Sequence, residues 1–116
     1  MQLGFIGVGN IGTLICQHLI NAGYNISAYD VDKGNLERIS RLGAKPLHTP
    51  RQVAESSDIV FSSLLGPKEI EDVVLGKNGI ATAEKPGLMY ADLSTNNPSN
   101  AKTVSEHLGN VGMSMI

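Results

Sequence analysis

The sequence has one cysteine, no tryptophan and only five prolines in 116 residues. A lone cysteine, Cys16, excludes an internal disulfide and a cysteine-built zinc site, and a reducing compartment, the cytoplasm, is the expected location. No apolar run approaches the ~18 residues of a membrane span, so no membrane partner is expected. The start, Met1-Gln2-Leu3, lacks the basic stretch of a secretory signal and enters a strand pattern at once. An excess of either charge is missing too. Nine Lys and Arg stand against eleven Asp and Glu, a net charge of −2. With no local basic cluster, that balance argues against nucleic acid or an anionic surface as a partner. Internal repeats and low-complexity stretches are absent as well.

What is present is a globular composition, 41% apolar and 17% charged, in a length that suits one domain. A chain of this size buries roughly 65% of its unfolded surface. Glycine is abundant, at 13 residues without a collagen period, which points to tight turns and close backbone approaches.

Short apolar runs alternate with segments of helical period. Strands are expected at 3–6, 26–29, 44–47 (weak), 59–63 and 88–92, with the start of a sixth in 111–116. Helices are expected over 10–22, with Ile11, Leu14, Ile15, Leu19 and Ala22 as the apolar face, and over 33–42, with Leu36, Ile39 and Leu42. Gly23 and Gly43 stop them. Further helices start at Thr49 or Pro50, at Pro67, and at Pro98 with Asn97 as N-cap. Gly76-Lys77-Asn78-Gly79 reads as a turn. Strands alternating with crossover helices give a doubly wound α/β domain of Rossmann type, with a parallel sheet covered on both faces. The apolar end, Gly112 to Ile116, has no charged cap and reads as a fragment boundary.

The strongest motif is Gly7-Val8-Gly9-Asn10-Ile11-Gly12. Alone, G-x-G-x-x-G is weak. Here it follows a strand, opens a helix and sits in a βαβ unit of the right size, the setting of a dinucleotide site. Gly7 permits the tight turn, Gly9 lets a pyrophosphate approach the backbone, and Gly12 lets helix and strand pack closely. The helix N-terminus then offers free N–H groups to phosphate. Asp30 ends the second strand near the expected ~20-residue interval, where an acid accepts from the ribose hydroxyls. It repels a 2′-phosphate, and the next residue is Val31 rather than an arginine. The pair favours NAD over NADP. Asp30 can alternatively begin a helix-capping turn with Asp32. The G-x-G-x-G of methyltransferases is not matched, because position 11 is Ile. Flavoproteins usually need a longer chain. Cys16 reads as a core residue, and His18, His48 and His107 share no motif.

A second constellation, Asp92-Leu93-Ser94-Thr95-Asn96-Asn97-Pro98, joins the fifth strand to the last helix, at the sheet edge where ligands bind. Its hydroxyls can serve a carboxylate or face a nicotinamide. A capped helix start explains the same residues equally well.

Gly4 to Gly12, then Asp92-Leu93-Ser94-Thr95 with Pro98, resemble the β-hydroxyacid dehydrogenase family. That family includes 3-hydroxyisobutyrate dehydrogenases, tartronate semialdehyde reductases and 6-phosphogluconate dehydrogenases. The resemblance runs through Leu75-Gly76-Lys77-Asn78-Gly79-Ile80 and Lys85-Pro86-Gly87. It implies that residues 1–116 form the dinucleotide-binding domain of an enzyme passing hydride from a small hydroxy acid to NAD(P). Gly7, Val8, Gly9, Asn10, Ile11 and Gly12 would hold the pyrophosphate and Asp30 the ribose. Leu64 and Leu65 would lie along the cofactor, with Thr95 near the nicotinamide and Ser94 toward the substrate. Leu65 departs from a common proline, and Ile11 from a common methionine. The substrate-gripping glycine pair, the catalytic lysine and the helical domain through which copies would form a homo-oligomer are implied beyond Ile116. None of Lys33, Lys45, Lys68, Lys77, Lys85 and Lys102 falls in the lysine motif. Rival readings are a non-catalytic NAD(H) sensor and an NADP-dependent 6-phosphogluconate dehydrogenase. The first would need no Ser-Thr site; the second usually has an arginine where Val31 stands.

Overall fold

The computed structural model describes residues 1–94 and 97–116. Six strands are found: β1 (Gln2–Ile6), β2 (Asn25–Tyr29), β3 (Lys45–Pro46), β4 (Ile59–Ser62), β5 (Met89–Asp92) and β6 (Ser114–Met115). Five helices connect them: α1 (Asn10–Asn21), α2 (Lys33–Arg41), α3 (Pro50–Glu55), α4 (Pro67–Leu75) and α5 (Pro98–Asn110). The sheet order is β3-β2-β1-β4-β5-β6, and all five pairings are parallel. This is the expected doubly wound sheet. Its order reverses direction between β1 and β4, which opens a crevice at the carboxyl ends of those strands.

Strand alternation sorts the core into two layers. Leu3 and Phe5 of β1, with Ile26 and Ala28 of β2, pack with Cys16 of α1 and Ile39 of α2. Phe5 pairs in register with Phe61 of β4, and their rings stack at 6.2 Å. On the other face, Ile6, Val60 and Tyr90 pack against α3, α4 and α5 through Val53, Ile70, Val74, Val104 and Leu108. Gly4 makes the closest approach. A Cβ there would lie 2.5 Å from a methyl of Val53 and 2.6 Å from Ser57 Oγ, so α3 rests directly on β1.

The caps follow the sequence reading. Gly23 and Gly43 take positive φ just past α1 and α2. Asp32, Thr49 and Asn97 cap α2, α3 and α5, each accepting a first-turn N–H. One expectation changes: α1 buries only part of the face assigned to it. Ile11 and Leu14 are 69% and 59% exposed, Ala22 is exposed, and Gly12 and Cys16 are buried instead, with Ile15, Leu19 and Ile20 half-buried. Asn10, Thr13, Gln17 and Asn21 mark one polar face, but apolar residues spread over most of the rest of the circumference, so periodicity alone is ambiguous. Gly12, the residue that can touch β1, sets the rotation, and Cys16 and Leu19 follow at helical spacing. The turn expected at 76–79 is present, and it runs into a single 3₁₀ turn (Ile80–Ala83) that plugs Ile80 into the core. Among the described residues, no helix is long and apolar enough to cross a membrane.

Candidate functional site

The loop between β1 and α1 is shaped by two steric constraints. Gly7 has φ +90°, and a Cβ on it would sit 2.1 Å from the carbonyl oxygen of Ser63. A Cβ on Gly12 would lie 2.1 Å from the carbonyl oxygen of Gly7. The loop is thus pinned against the β4 end on one side and its own helix on the other. Gly9 differs: nothing lies within 4 Å of a Cβ built there. Its bareness serves no internal contact and leaves open space over the backbone. Gly9 is also the N-cap of α1 and provides no side-chain cap, so the first-turn N–H groups have no capping oxygen from it.

The residue between the glycines is held from both ends. Val8 N–H donates to Asp30 Oδ2 at 2.8 Å. Its carbonyl accepts from Thr13 Oγ1 at 2.7 Å and from Arg38 Nη2 at 3.3 Å. The Val8 side chain is fully buried. Asp30 also accepts from Asp32 N–H at 2.8 Å and from Asn35 Nδ2 at 3.4 Å. It therefore does begin the capping turn of α2, and it latches the glycine loop as well. Its carboxylate retains acceptor capacity for a further donor, since about four lone-pair directions are available.

A cleft of about 560 Å³ opens beside this loop. Gly7, Gly9, Asn10, Ile11, Gly12, Asp30, Leu64 and Leu65 all line it. Val8, fully buried, is not among the lining residues, and neither is Ser94, whose Oγ accepts the N–H of the lining residue Leu64 at 2.5 Å and whose own N–H donates to Asp92 Oδ1 at 3.1 Å. Thr95 and Asn96 lie outside the described residues. Ile11 and Leu65, the latter 94% exposed, give the cleft apolar rims.

Sequence reasoning missed part of the lining. Glu69 and Asp72 of α4 face the cleft, as do Asp32 and Asn35. Their three-residue spacing puts Glu69 and Asp72 on one helix face, but nothing in the sequence says which face meets the cleft. Asp72 is also paired with Lys68 at 3.0 Å. The described lining thus carries four carboxylates, Asp30, Asp32, Glu69 and Asp72, and no lysine or arginine. Cys16 is not among the lining residues, and burial pushes its thiol up to about 12.

Residues 2–116 match the model of the NAD-binding domain of 6-phosphogluconate dehydrogenase. The chain belongs to that family. Among curated relatives, it is 35% identical over 103 residues to a probable mitochondrial 3-hydroxyisobutyrate dehydrogenase of Dictyostelium discoideum, covering 89% of this chain and 32% of the relative. It is 34% identical over 112 residues to the 2-hydroxy-3-oxopropionate reductase of Escherichia coli K12, covering 97% and 38%. The chain therefore spans about a third of the length of the curated relatives it matches. The solved structure of Mycobacterium tuberculosis 3-hydroxyisobutyrate dehydrogenase with L-serine has the same fold, with a TM-score of 0.89 at 20% identity over 99% of this chain and 39% of that one. The expected resemblance to β-hydroxyacid dehydrogenases holds, and the family is one of NAD-binding domains.

The residues fit such a dinucleotide. Gly9 leaves room above its backbone, the α1 N-terminus is uncapped, and Asp30 sits at the neighbouring strand end with an acceptor to spare.

Proposed function

We propose that this domain takes NAD(H) in preference to NADP(H), and serves an oxidoreductase that moves hydride between a small 3-hydroxy acid and NAD. The observation that carries the cofactor choice is the charge of the cleft. Four carboxylates line it without a lysine or arginine among the described residues, and two of them, Asp30 and Asp32, flank the α2 start. A 2′-phosphate would bring about two more negative charges beside Asp30 and Asp32 with no cation in the described lining to meet them, Arg38 being engaged with the Val8 carbonyl. Val31, 84% exposed, adds no donor.

In this reading Gly7, Gly9 and Gly12 shape the loop, the N–H groups of the first turn of α1 at Asn10 and Ile11 hold the diphosphate, and Asp30 accepts from the ribose. Leu64, Leu65 and Ile11 exclude water along the apolar stretches. Thr95 would face the nicotinamide and Ser94 the substrate, following the family resemblance. The bound nicotinamide supplies the hydride acceptor, and this chain supplies binding and orientation. The resemblance assigns the hydroxyl proton to a lysine that none of this chain's six lysines matches, so the 116 residues alone are expected to turn over nothing. The 3-hydroxy acid is supported by the names of the relatives, which act on its class. The buried, unpaired thiol of Cys16 supports residence in a reducing compartment such as the cytoplasm.

Titration with NADH and NADPH, followed by nicotinamide fluorescence, tests the proposal. Tighter binding of NADH is expected. Tighter binding of NADPH would overturn the cofactor choice, and absence of binding by either would overturn the dinucleotide reading.

A further inference from the structure

Strand order fixes the direction in which a dinucleotide would cross the sheet. Asp30 stands at the end of β2 and the glycine loop at the end of β1, and next in the sheet come β4 and β5. With the adenosine ribose at Asp30 and the diphosphate at the glycine loop, the nicotinamide half extends over the ends of β4 and β5.

A chain of hydrogen bonds lies under those ends. Tyr90 of β5 and Ser62 of β4 are both fully buried, with 2.5 Å between their hydroxyl oxygens. Ser62 Oγ donates to Asp92 Oδ1 at 2.8 Å. A serine hydroxyl has one proton and the carboxylate only accepts, so the Tyr90 hydroxyl must be the donor to Ser62. Asp92 Oδ1 then accepts the Ser94 N–H, and Ser94 Oγ accepts the Leu64 N–H. The series runs from a buried phenol to the loop that carries Leu64 and Leu65 into the cleft. Burial and the neighbouring Asp92 charge hold the phenol protonated, well above its ordinary range.

We propose that Tyr90 is a positioning residue for the nicotinamide end of the dinucleotide, acting through Ser62, Asp92 and Ser94 on the Leu64–Leu65 loop. This rests on the dinucleotide reading above. Packing does not require the hydroxyl, because phenylalanine fills nearly the same volume. What the hydroxyl adds is direction. It occupies the acceptor side of Ser62, leaves that residue's proton aimed at Asp92, and strengthens the Ser62–Asp92 bond by polarisation. Asp92 so oriented presents one oxygen to both Ser62 and Ser94, which holds the β4 and β5 loops together.

The test compares NADH with ADP-ribose, which keeps the adenosine and diphosphate but lacks nicotinamide. Wild-type chain, Tyr90→Phe, Ser62→Ala, Ser94→Ala and the Tyr90→Phe/Ser94→Ala double variant are titrated with both ligands, by fluorescence for NADH and by calorimetry for ADP-ribose. Tyr90→Phe is expected to weaken NADH about threefold to tenfold, the value of one hydrogen bond, while ADP-ribose changes by less than about twofold. Ser62→Ala, which cuts the same chain at its second link, should show the same split, and it serves if Tyr90→Phe fails to fold. The double variant should lose no more than Ser94→Ala alone. Equal losses for both ligands would mean a general structural role and overturn the inference. So would unchanged NADH binding, or additive losses in the double variant. A wild-type chain that binds neither ligand would overturn the dinucleotide reading itself, and this inference with it.

Discussion

Asp30 has two duties, and a substitution there must be designed to separate them. Its carboxylate ties down Val8 N–H and Asp32 N–H, both at 2.8 Å. Hydrogen bonds to a charged group contribute roughly 1.5–3 kcal/mol each, and a buried donor left bare costs ~1–3 kcal/mol. The Val8 site is half-buried and the Asp32 site is exposed, so Asp30→Ala should destabilise the fold by about 2–3 kcal/mol. That is a large share of the ~5–15 kcal/mol typical of a domain. A loss of NADH affinity in this variant would then mix unfolding with lost ribose contacts. Discrimination between cofactors is free of that mixing, since both ligands meet the same folded fraction. A phosphate charge ~6 Å from the Asp30 carboxylate, at an effective dielectric of ~20–40, is repelled by about 1.4–2.8 kcal/mol. Removing the carboxylate should therefore lower the NADH-over-NADPH preference roughly 10- to 100-fold. Asp30→Asn should do the same with a smaller loss of melting temperature, because its amide oxygen can still accept one of the two N–H groups. The assay is a pair of fluorescence titrations per variant at fixed ionic strength. A preference unchanged within about twofold in both variants would refute the view that Asp30 sets it.

The glycines of the loop should divide by what a methyl group would meet. Gly12→Ala, whose Cβ falls 2.1 Å from a backbone carbonyl, should cost about 2 kcal/mol in thermal or urea unfolding, after offsetting the ~1 kcal/mol of helix propensity gained. Gly9→Ala meets nothing within 4 Å, so it should leave unfolding unchanged within ~0.5 kcal/mol yet weaken NADH at least about tenfold. The Cys16 thiol, pushed up to about 12 from 9.0, should resist a disulfide reagent at pH 8 in the folded chain and react once the chain is unfolded in urea. Because the unfolded thiol ionises first, its contribution is complete below pH 9 and is lost as pH rises toward 12. The stability advantage of wild type over Cys16→Ala should shrink across that window, as read by urea unfolding at several pH values.

Those predictions rest on features of unequal visibility in the sequence. The order of elements was legible because each boundary has a local chemical cause: Gly23 and Gly43 end helices by positive φ, and Asn97 and Pro98 start one. The glycine loop and Asp30 were legible because their spacing reflects one βαβ unit, in which sequence distance fixes spatial distance. The rotation of α1 was not. Ile11 and Leu14 are as apolar as Ile15 and Leu19, and what decides between them is the close approach of Gly12 to Gly7 and Phe5, a packing fact carried by the absence of a side chain. The carboxylates of α4 and the Tyr90–Ser62–Asp92 series were hidden for a related reason. Ser62 lies about 30 residues from Tyr90 and Asp92 in the chain and becomes their neighbour only through the parallel pairing of β4 with β5, where it stands opposite Asp92, while the face that α4 turns to the cleft is set by its packing. Asp30 shows the same limit within a residue that was found. In the sequence its ribose role and its capping turn with Asp32 read as alternatives, whereas the carboxylate has oxygens enough for the turn, the Val8 latch and a ligand together. One side chain thus couples the loop that would hold the diphosphate to the position that would hold the ribose, so occupation of either is expected to favour the other.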